Sequence, residues 1–168
     1  MVRGGAEGIR MNGGKNNVIE NNIIVGYNHA LSTLSPAGSC YPQMAVANCD
    51  FMSGNRYCRN IFYGVRSDLC LYVLYSWTDR VFGQSEHNLF FDSAGVGHTV
   101  SIEETGASEK MVPLAEWQEM GYDRHSVIAD PLFVDPENDD YRLRPESPAS
   151  ELGFQPIDVE KVGPGDRS

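Results

Sequence analysis

The chain has 168 residues and a formal net charge of −10 at pH 7, a length that fits one domain. Its acidity argues against a non-specific nucleic-acid binder, which needs a basic surface. No run approaches the roughly 18 apolar residues of a membrane span, and Met1–Gly5 lacks the apolar core of a signal peptide. We therefore expect neither nucleic acid nor a membrane as a partner.

The first predicted elements are short strands separated by turns. Gly8–Met11 has strand character and ends at Asn12-Gly13-Gly14, a strong turn signal. A pattern follows in which one Asn precedes three apolar residues, and it recurs twice. The three copies are Glu20–Val25, Cys58–Tyr63 and Glu86–Phe91. Each copy predicts a strand, a corner formed by the Asn, and a second strand, because Asn tolerates the left-handed conformation.

The spacing of the three Asn residues predicts how the copies are arranged. Asn22 and Asn60 are 38 positions apart, and Asn60 and Asn88 are 28 positions apart. Recurrence in this range indicates stacked units, and unequal spacing is accommodated by loops that leave a solenoid at its corners. We expect a β-solenoid of about three coils with Ile23, Ile61 and Leu89 aligned inside it. Its coils would stack Asn22, Asn60 and Asn88 in a ladder, with their side-chain amides hydrogen-bonded from one coil to the next. The alternative is three unrelated hairpins. Hairpins would favour Asn-Gly or Asp-Gly pairs at the turns, which argues against this alternative.

Strand character resumes between the copies, at Met44–Phe51 and Cys70–Trp77, and Thr78-Asp79 marks a corner. The four cysteines, Cys40, Cys49, Cys58 and Cys70, lack the C-x-x-C spacing of a zinc site. They are interpreted as free thiols, and a Cys40–Cys49 disulfide is the alternative.

From Gly95 onward the pattern changes, so we assign residues 1–94 to the coils and 95–168 to the last coil and a C-terminal cap of one domain. Pro113–Gly121 predicts a short helix, with Pro in its first turn and Gly beyond its end. Asp130–Val134 is similar to the repeat and is interpreted as a last, incomplete coil. A cap covers the unpaired backbone of a solenoid end. The first coil shows no cap, so we expect self-association through it.

The sequence of the cap resembles a known family. Leu114–Asp123, Arg124–Pro136, Tyr141–Ala149 and Gly153-Phe154 look like the C-terminal part of right-handed parallel β-helix proteins of the pectate-lyase-like superfamily, and the resemblance runs from about Arg56 to Gly163. It implies an all-β, right-handed parallel β-helix with a cap that contains a short helix. It also implies a secreted or periplasmic protein that acts on a polysaccharide or oligosaccharide, as polysaccharide lyases, glycoside hydrolases and epimerases do. It carries over no catalytic residues.

Candidate catalytic groups are carboxylates near the corners. Glycoside hydrolysis needs two carboxyl groups, about 5 to 5.5 Å apart when configuration is retained and about 6.5 to 9.5 Å apart when it is inverted. Residues on neighbouring coils are about 4.8 Å apart, so carboxylates one or two coils apart can satisfy either geometry. Glu20 and Glu86 occupy one column of the repeat. We select Asp68, Asp79 and Glu86 as catalytic candidates, with a solvated surface or turn role as the alternative.

Elimination from a uronate needs a base and a cation for the substrate carboxylate, which Arg binds with two parallel hydrogen bonds. Four candidate binding arginines are concentrated in the middle coil: Arg56, Arg59, Arg66 and Arg80. Trp77 is a further binding candidate, because its ring could stack on a sugar. Surface ion pairs are the alternative for the arginines, and a core position is the alternative for Trp77. His87 and His125 are candidates for a general acid or base, although either could serve only as a hydrogen-bonding group.

No cofactor or metal is expected. Asp135–Asp140 collects oxygen ligands that calcium accepts but lacks the EF-hand spacing, and a turn explains the same residues. The predicted function is that of a carbohydrate-active protein, a polysaccharide lyase or glycoside hydrolase acting on an acidic glycan, or the C-terminal portion of one. The alternative is a non-catalytic β-helix for glycan binding or structural display.

Overall fold

The protein is described by a computed structural model that covers residues 2–3, 8–11, 13–26, 41–46, 51–64, 69–92, 98–104 and 108–157. The part of the chain described is rich in strands and contains one short α-helix, α1 (Leu114–Glu119). Within it, no helix is long and apolar enough to cross a membrane.

The strands are short, in keeping with the frequent turns in the sequence. In chain order they are β1 (Val2–Arg3), β2 (Ile9–Met11), β3 (Gly14–Lys15), β4 (Val18–Glu20), β5 (Ile23–Val25), β6 (Tyr41–Val46), β7 (Met52–Ser53), β8 (Asn55–Cys58), β9 (Ile61–Gly64), β10 (Leu69–Tyr75), β11 (Phe82–Glu86), β12 (Leu89–Asp92), β13 (Thr99–Glu103), β14 (Lys110–Pro113), β15 (Val127–Ile128), β16 (Phe133–Asp135) and β17 (Asp140–Leu143). Two turns of 3₁₀ helix lie at Pro136–Asn138 and Pro148–Ser150.

Most of the strands form three stacked sheets. Sheet 1 has the order β1-β5-β9-β12-β15, sheet 2 the order β2-β6-β10-β13-β14, and sheet 3 the order β4-β8-β11. The pairs are parallel except for β13 with β14. The chain visits sheets 2, 3 and 1 in the same order three times: β2-β4-β5, β6-β8-β9 and β10-β11-β12. The prediction of an all-β chain with stacked parallel strands is therefore confirmed.

The register of sheet 1 aligns the repeats as their sequences predict. Ile61 is paired with Ile23 on one side and with Leu89 on the other, and each of the three side chains is at least 95% buried. The corner residue differs from the prediction. The left-handed conformation belongs to the residue before each ladder Asn, which is Asn21 (φ 59°), Arg59 (φ 54°) or His87 (φ 58°).

The two faces of sheet 1 belong to different hydrophobic clusters. Ile24, Phe62 and Phe90 join the main core, which is shared with sheets 2 and 3. Ile23, Ile61 and Leu89 face the opposite way and are buried by residues of the C-terminal segment. The prediction that Ile23, Ile61 and Leu89 lie inside the stack is therefore corrected, because neighbouring residues of a strand point to opposite faces.

The C-terminal residues cover both an end and a side of the stack. Trp117 and Leu114 of α1, the helix predicted at Pro113–Gly121, pack into the main core. The chain continues in sheet 1 with β15, so Asp130–Val134 is not the last coil. Phe133 instead begins the antiparallel pair β16–β17, whose side chains pack against the outer face of sheet 1.

Of the cysteines, Cys58 and Cys70 are buried free thiols, as predicted, and Cys40 and Cys49 lie outside the described residues. The expected self-association through the first coil stays a prediction. Among the described strands, β2 and β4 are the outermost members of sheets 2 and 3, and β1 extends sheet 1 beyond β5.

Candidate functional site

The corner between sheets 3 and 1 arranges polar side chains in three parallel rows. The first row holds Glu20, Cys58 and Glu86 in register at the ends of β4, β8 and β11. The second row holds the left-handed residues Asn21, Arg59 and His87, and the third holds the ladder residues Asn22, Asn60 and Asn88. Equivalent residues in a row are about 4.8 Å apart along the stack.

The ladder residues hold this corner in place. Asn22 Nδ2 donates to Asn60 Oδ1 at 3.0 Å, and Asn60 Nδ2 donates to Asn88 Oδ1 at 3.1 Å, as the sequence predicts. The backbone N–H groups of Asn22 and Asn60 donate to the same two acceptors at 3.1 and 2.9 Å. Because these bonds satisfy the backbone N–H groups of Asn22 and Asn60, the ladder holds the outer two rows in place at this corner.

The ladder ends on a carboxylate that the sequence analysis did not select. Asp123 is fully buried, and Asn88 Nδ2 donates to its Oδ1 at 2.8 Å. Ser126, Ser85, Tyr72 and Trp117 also donate to this carboxylate. Burial and the adjacent carboxylate hold the pKa of Tyr72 well above its ordinary value. Asp123 is therefore a structural terminus for the ladder.

An open groove of about 450 Å³ follows the second row. One wall is formed by Glu20 and the three corner residues Asn21, Arg59 and His87, and the other wall by Glu151, Leu152, Gly153 and Gln155 of the C-terminal segment 151–155. Gln155 anchors that segment, since its backbone N–H donates to Asn21 Oδ1 at 2.6 Å and its carbonyl accepts from Asn21 Nδ2 at 2.9 Å. Among the described residues, the groove lining combines polar and charged side chains with Leu152 and Gly153.

Charges at the first two coils are paired. Arg59 forms an ion pair with Glu20, and Arg56 lies 3.7 Å from the same carboxylate while its Nε donates to Gln84 at 3.1 Å. The Cys58 thiol lies between the two Glu positions of its row, and burial raises its pKa. A thiol with a raised pKa is a poor nucleophile, so Cys58 is best described as a packing residue.

The third coil brings two histidines to one carboxylate. His125 Nδ1 lies 2.8 Å and His87 Nδ1 lies 3.7 Å from Glu86 Oε2. The imidazole rings stack with a centroid separation of 5.1 Å and an interplanar angle of 21°. We call Glu86, His87 and His125 the Glu-His cluster. The sequence pattern contained Glu86 and His87, but only the pairing of β15 with β12 brings His125 beside them.

The structure brings together only part of the predicted site. Arg56, Arg59 and Glu86 converge at the groove or beside it. Arg66 and Asp68 lie outside the described residues. Their predicted roles stay predictions.

Three further predicted site residues lie elsewhere. Asp79 and Arg80 are exposed at the corner between sheets 2 and 3, where their carbonyls accept from Tyr122 and Gly54. Trp77 is buried against the rings of Trp117 and Tyr122, a core position that leaves its ring unavailable as a sugar platform.

The acidic segment considered for calcium forms a turn between β16 and β17. Asp135 Oδ2 accepts from Asn138 Nδ2 at 2.8 Å, and Asp140 accepts from Arg142 Nε at 2.8 Å. The hydrogen bond from Arg142 lowers the pKa of Asp140. These contacts are those of a polar turn.

Comparisons of the chain with protein-family models, with curated protein sequences and with solved structures find no match.

Proposed function

We propose that this chain is a right-handed parallel β-helix protein of the pectate-lyase-like kind and that it acts on an acidic polysaccharide in the groove. Three visits to the same sheets in the same order support the β-helix. Parallel crossover connections are right-handed in about 98% of cases, which supports the hand. The sequence of the cap supports the superfamily.

The observation that carries the proposal is the chemistry of the groove. Arg59, Glu20 and His87 face it from neighbouring coils, and the described residues that line it include no Trp, Tyr or Phe. A purely binding surface for neutral sugars would be expected to offer aromatic rings for stacking. A cation beside carboxylate and imidazole groups instead fits a uronate and the proton transfers that its elimination needs.

The proposed reaction assigns a role to each group. The Arg59 guanidinium has five N–H donors in a planar fork and binds the substrate carboxylate, which competes with Glu20 for it. Glu20 then takes the proton from the carbon next to that carboxylate. The electron pair forms a carbon–carbon double bond, the bond to the glycosidic oxygen breaks, and that oxygen takes up a proton. The product is an unsaturated uronate.

A second candidate function is glycan binding without catalysis. The ion pair between Glu20 and Arg59 and the hydrogen bond between Glu86 and His125 favour it, because both carboxylates already have partners. Glu20 and Glu86 are two strand spacings apart, or about 9.6 Å. This distance is at the upper limit of the carboxyl separation that inverting hydrolysis requires.

The test is a panel of uronate-containing and neutral polysaccharides, assayed for binding by calorimetry and for unsaturated product by ultraviolet absorbance. Arg59→Ala should abolish binding of the acidic members, and Glu20→Gln should lower turnover while binding is kept. Arg142→Ala is the matched control, because Arg142 also pairs with a carboxylate but lies in β17 outside the groove. Binding that is equal in Arg59→Ala and the parent would contradict the proposal, and binding without product would favour the second candidate.

A further inference from the structure

The Glu-His cluster joins three side chains from two neighbouring levels of the stack. Glu86 ends β11, His87 follows it at the corner, and His125 occupies the next level, two residues before β15. One ligand atom of each residue lies within 4.8 Å of those of the other two. His125 Nδ1 and His87 Nδ1 lie 2.8 Å and 3.7 Å from Glu86 Oε2.

These separations fit a small divalent ion. Zinc binds imidazole nitrogen and carboxylate oxygen at about 2.0 to 2.2 Å, so ligand atoms in a tetrahedral site are about 3.4 Å apart. The two contacts with Glu86 fall on either side of that value. The side chains of His87 and His125 are 40% and 64% exposed. Small rotations about their side-chain bonds can therefore bring the nitrogens to the separation that a tetrahedral site requires.

The backbone that carries these side chains is held firmly. His87 has a left-handed conformation at the corner directly before Asn88 of the ladder. On the other level, Ser126 donates through its backbone N–H and its hydroxyl to Asp123, and Gln118 donates to the Ser126 carbonyl at 3.1 Å. Ligands fixed on a rigid frame lose little entropy when an ion binds, which favours binding.

The ligand types select a class of ion. Imidazole nitrogen suits zinc, copper, nickel and ferrous iron, whereas calcium and magnesium require oxygen ligands. Two His and one Glu supply three protein ligands and leave a fourth tetrahedral position for water or substrate.

We propose that Glu86, His87 and His125 form a binding site for one divalent transition-metal ion of the zinc class, with an open fourth position beside the groove. The assignment depends on these three residues and not on the identity of the glycan or on whether the groove is catalytic.

The test uses calorimetry on the whole, untagged chain with zinc chloride in a non-coordinating buffer. One zinc ion is expected to bind per chain, and calcium and magnesium are expected not to compete. His125→Ala and Glu86→Gln should each weaken zinc binding by at least the 10- to 100-fold that is typical of losing an outer-shell partner. Glu137→Gln, at an exposed carboxylate in the cap, should bind zinc as the parent does.

Cobalt provides a second measurement that separates this site from the thiols. Cobalt at two nitrogens and one oxygen should give weak visible bands without the intense near-ultraviolet sulfur-to-metal band. The spectrum should be lost in His125→Ala while the circular dichroism is unchanged. Failure of the parent to bind zinc, a sulfur-to-metal band, or unchanged affinity in His125→Ala would each overturn the assignment.

Discussion

Asp123 joins five side chains by hydrogen bonds at the end of the stack. Its Oδ2 accepts from Tyr72, Ser85 and Trp117, and its Oδ1 accepts from Asn88 and Ser126. The donors come from five different places in the fold, namely β10, β11, the corner after β11, α1 and the turn before β15, so sequence spacing alone did not reveal them. A buried carboxylate is tolerated only when its acceptors are satisfied in this way.

Asp123→Asn tests this interpretation. Hydroxyl groups can rotate to accept a hydrogen bond, but the indole N–H of Trp117 lies at one oxygen and the amide N–H of Asn88 at the other. Either orientation of an Asn side chain therefore places two N–H groups against each other. We expect a loss of about 2 to 4 kcal/mol in the free energy of unfolding, measured by urea denaturation. Tyr72→Phe, which removes one hydroxyl, should cost only about 1 kcal/mol, and an equal loss in both variants would contradict the prediction.

The raised pKa of Tyr72 predicts how the stability of the folded chain changes in alkali. Burial and Asp123 hold its pKa in the folded chain well above the ordinary value of 10.0. The unfolded chain therefore releases this proton first, so the stabilisation is fully present below about pH 10 and is lost as pH rises towards the folded pKa. Urea denaturation at about pH 9 and about pH 11 should show a steeper loss for the parent than for Tyr72→Phe. An equal loss of unfolding free energy between the two pH values in the parent and in Tyr72→Phe would show that ionisation of Tyr72 does not cause the loss.

At the scale of elements, the Asn ladder is the feature that the sequence predicted best. Its members recur in a recognisable pattern, and their hydrogen bonds form as expected. A second ladder was missed, although Asn17 and Asn55 have the same 38-residue separation as Asn22 and Asn60. Asn17 Nδ2 donates to Asn55 Oδ1 at 2.9 Å. It escaped prediction because Asn17 and Asn55 are followed by different residue types.

The position of an Asn in the ladder should determine its contribution to stability. Asn60→Ala leaves the backbone N–H of Asn22 and the carbonyl of Ile19 without their side-chain partner, so we expect a loss of about 2 to 4 kcal/mol. Asn22 ends the ladder and is half-buried, and Asn22→Ala should cost about 1 kcal/mol. Urea denaturation of both variants measures the difference. Losses of similar size would contradict a cooperative ladder.

The candidate site was harder to predict than the strands. Glu86 and His87 are neighbours in the sequence, but His125 reaches them only through the register of β15 on β12. Likewise, the wall of residues 151–155 depends on a segment that returns along the stack to Asn21. Periodicity reports which residues are equivalent in successive coils, and it carries no information about a non-repeating segment that packs across them.

At the scale of the whole molecule, sheet 1 has two apolar faces with different covers. One face is part of the main core, and the other is buried by Phe133, Tyr141, Ala149 and Phe154 of the C-terminal segment. The same segment forms a wall of the groove. The stability of this cover and the shape of the candidate site are therefore expected to be linked.

An Asp substitution on each face of β9 should distinguish the main core on one face from the C-terminal segment that covers the other. A buried unpaired charge costs several kcal/mol in either position. Phe62→Asp places the charge in the main core, where only opening the stack can hydrate it, so cooperative unfolding should be lost. Ile61→Asp places the charge under the C-terminal segment, and release of that segment can hydrate it while the stacked strands stay paired.

Limited proteolysis with mass spectrometry, together with far-ultraviolet circular dichroism, distinguishes these outcomes. In Ile61→Asp we expect strand signal to be kept and early cleavage to fall within residues 144–157, because this segment is held mainly by the outer cluster and by the hydrogen bonds between Gln155 and Asn21. Ile61→Val, which keeps an apolar side chain, should resist cleavage as the parent does and controls for the site of substitution. Loss of strand signal in Ile61→Asp to the same extent as in Phe62→Asp would show that the segment cannot separate from the stack. The groove would then have a fixed wall, and a ligand would have to enter it without displacing residues 151–155.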